Sequence, residues 1–111
     1  MTTIEVNIKD YGDPSDEGWE AVGSLSSSMC YEWDQVDVWH KDGVFAWYAD
    51  SGCSCNSAYD YSSVTLEVVD DEASFGRFEK AVDSLYDNTP VEKREFIAKI
   101  RQTVFHGGTW K

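Results

Sequence analysis

The stretch Tyr31–Cys55, YEWDQVDVWHKDGVFAWYADSGCSC, constrains the fold more than any other part of the chain. Val36, Val38 and His40 fall on one side of an extended segment, and Trp33 and Trp39 on the other. After Lys41-Asp42-Gly43, the residues Val44, Ala46 and Tyr48 alternate with Phe45, Trp47 and Ala49. A period of two in β-branched and aromatic residues predicts two strands. Asp-Gly supplies the positive φ of a hairpin turn, and Gly43 suits the left-handed position of a bulge. Apolar residues occur on both sides, so the ribbon is expected to be covered on both faces or to leave one face sticky.

The flanking segments extend this pattern. Ile4, Val6 and Ile8 alternate with Glu5, Asn7 and Lys9, as in a half-buried strand. Residues 11–18, YGDPSDEG, read as an acidic turn-rich loop. Trp19 to Leu25 is too short and mixed for a helix, with Gly23 inside it, and reads as a short strand or loop. Ser26-Ser27-Ser28 reads as a polar break. Val64, Leu66 and Val68 predict a further strand, reached through a polar segment that holds Tyr59 and Tyr61.

From Asp71 onward the period changes. Phe75, Phe78, Val82 and Leu85 form one helical stripe, with Asp70, Asp71 or Ser74 as its cap and Asp87-Asn88 as its end. Thr89-Pro90-Val91-Glu92 opens a second helix with a capping box, and Gly107-Gly108 stops it. Phe96, Ile97, Ile100 and Val104 are its stripe. The expected fold is α+β: an antiparallel sheet of three to four strands packed by a C-terminal helical hairpin, in one domain. Residues 1–70 are the acidic sheet region and 71–108 the hairpin.

Charge enters where function is asked. Residues 1–71 hold 15 Asp/Glu against two Lys, or −13, while the remainder hold six against seven Lys/Arg, or +1. Such a field repels nucleic acid and anionic membrane and attracts basic protein surfaces. Sixteen aromatic residues argue for a folded chain rather than a disordered acidic one. No apolar run reaches the roughly 18 residues of a membrane span, and the N-terminus lacks a signal-peptide pattern. A cytosolic protein is expected, with Cys30, Cys53 and Cys55 as reduced thiols.

Few constellations carry chemistry. Cys30, His40, Cys53 and Cys55 have poor spacing for zinc, so no metal and no cofactor is expected. His40 and His106 are the two histidines and stand at the ends of elements, which leaves no evident nucleophile–base pair. Asp50, Ser51, Gly52, Cys53 and Cys55 read as a structural loop, with Gly52 in a conformation that other residues avoid. Glu32, Trp33, Asp34, Asp37, Trp39 and Trp47 are the candidate partner-binding residues, because acids and aromatics interleave there.

The run Val38-Trp39-His40-Lys41-Asp42-Gly43, the strand after it, the hexapeptide Asp50-Ser51-Gly52-Cys53-Ser54-Cys55 and then Asp60-Tyr61 resemble a family of small actinobacterial-phage proteins. The resemblance covers roughly residues 30–65, and the hexapeptide is its specific part. A Pro usual in that family between the cysteines and the aromatic cluster is missing here, where Asn56, Ser57, Ala58 and Tyr59 stand. The family implies a phage product acting in a bacterial cytosol, and no activity. The expected function is to bind a host protein with a basic surface and modulate or inhibit it, without direct contact to nucleic acid or membrane. Two alternatives belong to other classes: a DNA mimic that occupies a nucleic-acid site, and an enzyme or metal protein using Asp50–Cys55. Nothing in the sequence sets the oligomeric state.

Overall fold

The computed structural model describes residues 1–10, 12–29, 31–53 and 58–108. Five strands, β1 (Thr3–Asn7), β2 (Glu20–Met29), β3 (Glu32–Lys41), β4 (Val44–Cys53) and β5 (Ser63–Val68), form one antiparallel sheet in the order β1-β5-β4-β3-β2. Two helices follow, α1 (Glu72–Asp83) and α2 (Pro90–His106). The α+β class and the two C-terminal helices are as expected, and the sheet has five strands rather than three or four.

The additional strand is β2. Its residues read as a doubtful segment and a serine break because Ser24, Ser26 and Ser28 face solvent on an edge strand and leave little apolar period. The buried Ser27 turns inward and donates to Asp34. Gly23 lets α2 approach, since a Cβ there would stand 3.2 Å from Phe96 and 3.4 Å from Ile100. A bulge at Val22 turns that residue into the helix-side core.

The β3–β4 hairpin closes through Asp42 and Gly43 at φ +50° and +79°. Both central residues are left-handed, as in a two-residue type I′ turn, and Lys41 pairs directly with Val44 without a bulge. The register then sets Asp37 opposite Tyr48, Gln35 opposite Asp50 and Trp33 opposite Gly52. β4 continues to Cys53, so Asp50 to Cys53 are strand residues, not loop, and Gly52 is not among the glycines at positive φ. Pairing with β3 makes an extended conformation sufficient there.

The ribbon is covered on both faces. On one, Val22, Val36 and Val38 pack with Phe75, Phe78, Val82, Leu85, Phe96, Ile97 and Ile100 of the helical region. On the other, Trp39, Ala46, Val64, Leu66 and Val6 pack under Trp19 and Tyr59. Asp71 caps α1 with a capping box to Ser74, and Thr89 caps α2 with one to Glu92. α1 ends at Asp83, earlier than Asp87-Asn88, because Leu85 turns into the core and Asn88 reaches the Ser26 carbonyl of β2. Arg101 near the end of α2 pairs with Glu72 at the start of α1, and Arg94 near the start of α2 pairs with Glu79 and Asp83. The helices are therefore antiparallel.

Ile100 is fully buried between α2 and the sheet. Ile100→Ala is expected to lower unfolding free energy by about 2–5 kcal/mol, read by urea denaturation. A loss below about 0.5 kcal/mol would mean that the helix does not close this core.

Candidate functional site

The sheet face away from the helices carries a buried polar network that apolar packing alone does not require. Asp37 sits mid-strand in β3 at 6% exposure, on the same side as Trp39 and Gln35. Its Oδ1 accepts from Ser24 Oγ at 2.6 Å; its Oδ2 accepts from Gln35 Nε2 at 2.8 Å and Tyr59 Oη at 2.7 Å. Trp39 Nε1 donates to Tyr59 Oη at 2.8 Å. A buried carboxylate with three neutral donors is satisfied as an acceptor. Among the described residues, no cation pairs with it.

Tyr59 is held from two sides. Its backbone N–H donates to Asp50 Oδ2 at 3.0 Å, and its ring stacks on Tyr48 at 5.3 Å between centroids. Its φ is +61°, a left-handed conformation that costs a non-glycine residue about 1–2 kcal/mol. The bonds to Asp50 and Asp37 hold it there. This happens where the sheet parts: β4 and β5 share two residue pairs, Ala46 with Val68 and Trp47 with Glu67. Beyond them, Tyr48 and Asp50 of β4 meet Tyr59 instead. Asp50 also accepts from the Ser51 backbone, so its role in holding backbone is real although the segment is strand.

Two clefts open around this residue. One, of about 540 Å³, is lined by Ser24, Gln35, Asp37, Trp39 and Tyr59, with Asp13 at its side. The other, of about 590 Å³, is lined by Lys9, Asp10, Tyr59, Asp60 and Tyr61. Ala58 and Tyr59 line both. Asp10 and Asp60 are exposed and Asp13 half-buried. Burial, then the Asp50 charge and Tyr61, push the Tyr48 phenol up to about 12. Burial, then the Asp37 charge, push Tyr59 higher still.

The six residues proposed from sequence do not form one surface. Asp37 and Trp39 are buried in the network. Trp33 is half-buried on that same side, its Nε1 donating to the Cys53 carbonyl. Trp47 lies on the helix side, edge-on to Phe78 at 6.2 Å, and its indole N–H is buried without a partner among the described residues. Asp34 takes the Ser27 hydroxyl on the helix side, and Glu32 is exposed at the strand end. Ser24, Gln35, Tyr59, Asp10, Asp13 and Asp60 were missed. A signal existed for the centre: Asp37 falls in phase with Trp39 inside an otherwise apolar run, a position where an acid needs buried donors.

Cys53 is disulfide-bonded, which corrects the expectation of three reduced thiols. Thiol pairing depends on how strands bring sulfurs together in space, and sequence separation does not show that. Cys30, Cys55 and the rest of residues 54–57 lie outside the described residues, as does that part of the expected loop. His40 sits 3.6 Å from Glu20 and against the Phe45 ring. Among the described residues, no group of three or more His, Cys, Asp or Glu side chains could hold a metal ion. Among the described residues, no helix is long and apolar enough to cross a membrane.

The fold and the cleft define a small acidic α+β module. Residues 8–106 match the family described as a domain of unknown function, DUF7574, and the chain belongs to that family. No curated protein and no solved structure matches it.

Two outcomes are expected. The fold favours the neutral phenol of Tyr48, so that stabilisation is complete below pH 10, the ordinary tyrosine value, and is lost as pH rises through about 12. Urea midpoints should fall across that window, and Tyr48→Phe should flatten the fall; an unchanged slope would mean that the fold does not favour the neutral phenol. Alkylation of the unfolded, unreduced protein should label one thiol per chain, since Cys53 takes a second of the three cysteines into its bond. Three labelled thiols in mass spectrometry would refute the disulfide.

Proposed function

We propose that this chain is a small acidic phage protein that binds a basic surface of a host protein in the bacterial cytosol and alters that protein's activity. The observation that carries this reading is where the carboxylates gather. Asp10, Asp13, Asp37, Asp50 and Asp60 surround the Ala58–Tyr59 segment, with Lys9 as the cation lining these clefts. On the helical side four acids are paired with arginines: Arg77 pairs with Glu67, Arg94 with Glu79 and Asp83, and Arg101 with Glu72. Among the described residues, carboxylates without cation partners gather around the clefts on the face away from the helices, where a basic surface would be drawn in.

The phage setting rests on the resemblance over residues 30–65. A disulfide such as that of Cys53 belongs more often to oxidising surroundings than to a cytosol, so binding is to be measured with and without reductant. The carboxylates cluster round one segment of a molecule measuring 39 × 32 × 27 Å, which supports a binding patch over the long row of charges that a DNA mimic presents.

The test is a salt series by surface plasmon resonance against the host protein that the chain captures from lysate. Exposed charges are screened over about 8 Å at physiological ionic strength, so the on-rate should fall steeply with salt and the off-rate change less. Asp10→Lys with Asp60→Lys should slow association about tenfold or more. The control pair Asp87→Lys with Glu95→Lys, exposed on the helical side, should do far less. An on-rate indifferent to salt, or equal effects of the two pairs, would remove the acidic face as the binding surface.

A further inference from the structure

The chemistry left unused in the first cleft says what part of a basic partner would enter it. Resting on the reading just given, we propose that the cleft over Asp37 receives a single cationic side chain, a guanidinium or ammonium group, beside Trp39 and Tyr59.

Most donors of the cleft are already committed. Ser24 Oγ–H and Tyr59 Oη–H point to Asp37, and Trp39 Nε1–H points to Tyr59. Gln35 Nε2 is also bonded to Asp37. What these groups still offer an incoming molecule is mainly lone pairs, those of Ser24 Oγ, the Gln35 side-chain carbonyl and the carboxylate itself, beside one N–H of the Gln35 amide. An ionised carboxylate accepts at roughly four sites, and here three are filled. Free acceptor sites outnumber free donors, so the cleft suits a ligand that arrives as a donor.

Charge narrows the class further. No cation of the described residues pairs with Asp37, so its field in this weakly polarisable cleft is not cancelled from within. Asp13 at the side of the cleft adds to it. An anion is repelled, and a neutral donor gains the hydrogen bonds without the Coulomb attraction. Trp39 and Tyr59 line the cleft and touch edge to edge, so a cation enters beside them rather than between them. Ser24 is exposed on edge strand β2, which places the entrance where a side chain from another molecule can reach.

The experiment uses the full chain labelled with nitrogen-15, with the Trp39 indole signal assigned by Trp39→Phe. N-acetyl-arginine amide and its neutral isostere N-acetyl-citrulline amide are titrated as free molecules, and again as the central residue of a glycine pentapeptide. The arginine probes should move the Trp39 signal, with citrulline binding about tenfold weaker or less. A stronger effect in the peptide than in the free amide would identify a protein side chain as the natural source.

Ser24→Arg should place a built-in cation at the entrance and abolish the shift. Asp37→Asn should weaken the arginine probe about tenfold; if it does not fold, Ser24→Arg at an exposed position still decides. Equal binding of citrulline, unaltered binding to Ser24→Arg, or no shift of Trp39 would each overturn the proposal. If the salt-steep association with the host protein persists unchanged in Ser24→Arg, the cleft reading falls and the surface reading stands. If the arginine probe binds but association is indifferent to salt, the surface reading falls alone.

Discussion

The register of the β3–β4 hairpin is the constraint on which the rest of the molecule depends. Asp42 and Gly43 turn the chain in two residues and leave no slack, so Lys41 must meet Val44 and each later pair follows. A slip by one residue would exchange the two faces of a strand. Asp37 and Trp39 would then turn toward the helices, while Val36 and Val38 would face the cleft. No other element could repair this, because the helical core needs those valines and the polar network needs that carboxylate. The apolar helix side and the polar cleft side are thus two consequences of one tight turn.

That turn also explains which parts of the fold were legible in sequence. β1, β5 and both helices announce themselves because each has one dry face, and a dry face writes a period into the residues; the hairpin, covered on both faces, announces itself through its β-branched and aromatic residues around Asp42-Gly43. The caps at Asp71 and Thr89 are short-range chemistry and are read directly from neighbouring residues. β2 was legible only in part: Trp19–Leu25 allowed a short strand, but its outward residues are serines and its place at the edge is fixed by β3 rather than by any pattern of its own. Asp50 to Cys53 misled for the opposite reason. Asp, Ser and Gly are turn residues by habit, but here the hairpin register extends through them and overrides that habit.

The site was legible only at its centre. Trp39 and Asp37 lie on one strand and could be picked out together, but their phase along the strand decides whether they are a surface or a buried network. Tyr59 comes from a polar segment without periodicity, 22 residues from Asp37, and reaches it only because β4 and β5 part after two pairs. Acids and aromatics interleaved on one strand therefore alternate between two environments. The interleaving marks a polar position inside a core as readily as it marks an exposed binding patch.

The way in which Asp37 is satisfied separates this network from the ion pairs elsewhere in the molecule. An arginine placed beside the carboxylate would also satisfy it, and would cancel its charge. Serine, glutamine and tyrosine satisfy the hydrogen-bonding demand and leave the charge standing. Holding a buried carboxylate this way demands more of the fold, since every donor must be positioned by its own backbone, down to a tyrosine kept at positive φ. The helical side shows the other solution, with Arg94 and Arg101 tying one helix to the other while neutralising their acids. The same chain uses charge cancellation where it needs two elements joined, and neutral donors where the field is left to face the cleft. The division is not complete, since Asp34 on the helix side also takes a neutral donor from Ser27, but the arginine pairs lie with the helices and the Asp37 network lies on the opposite face.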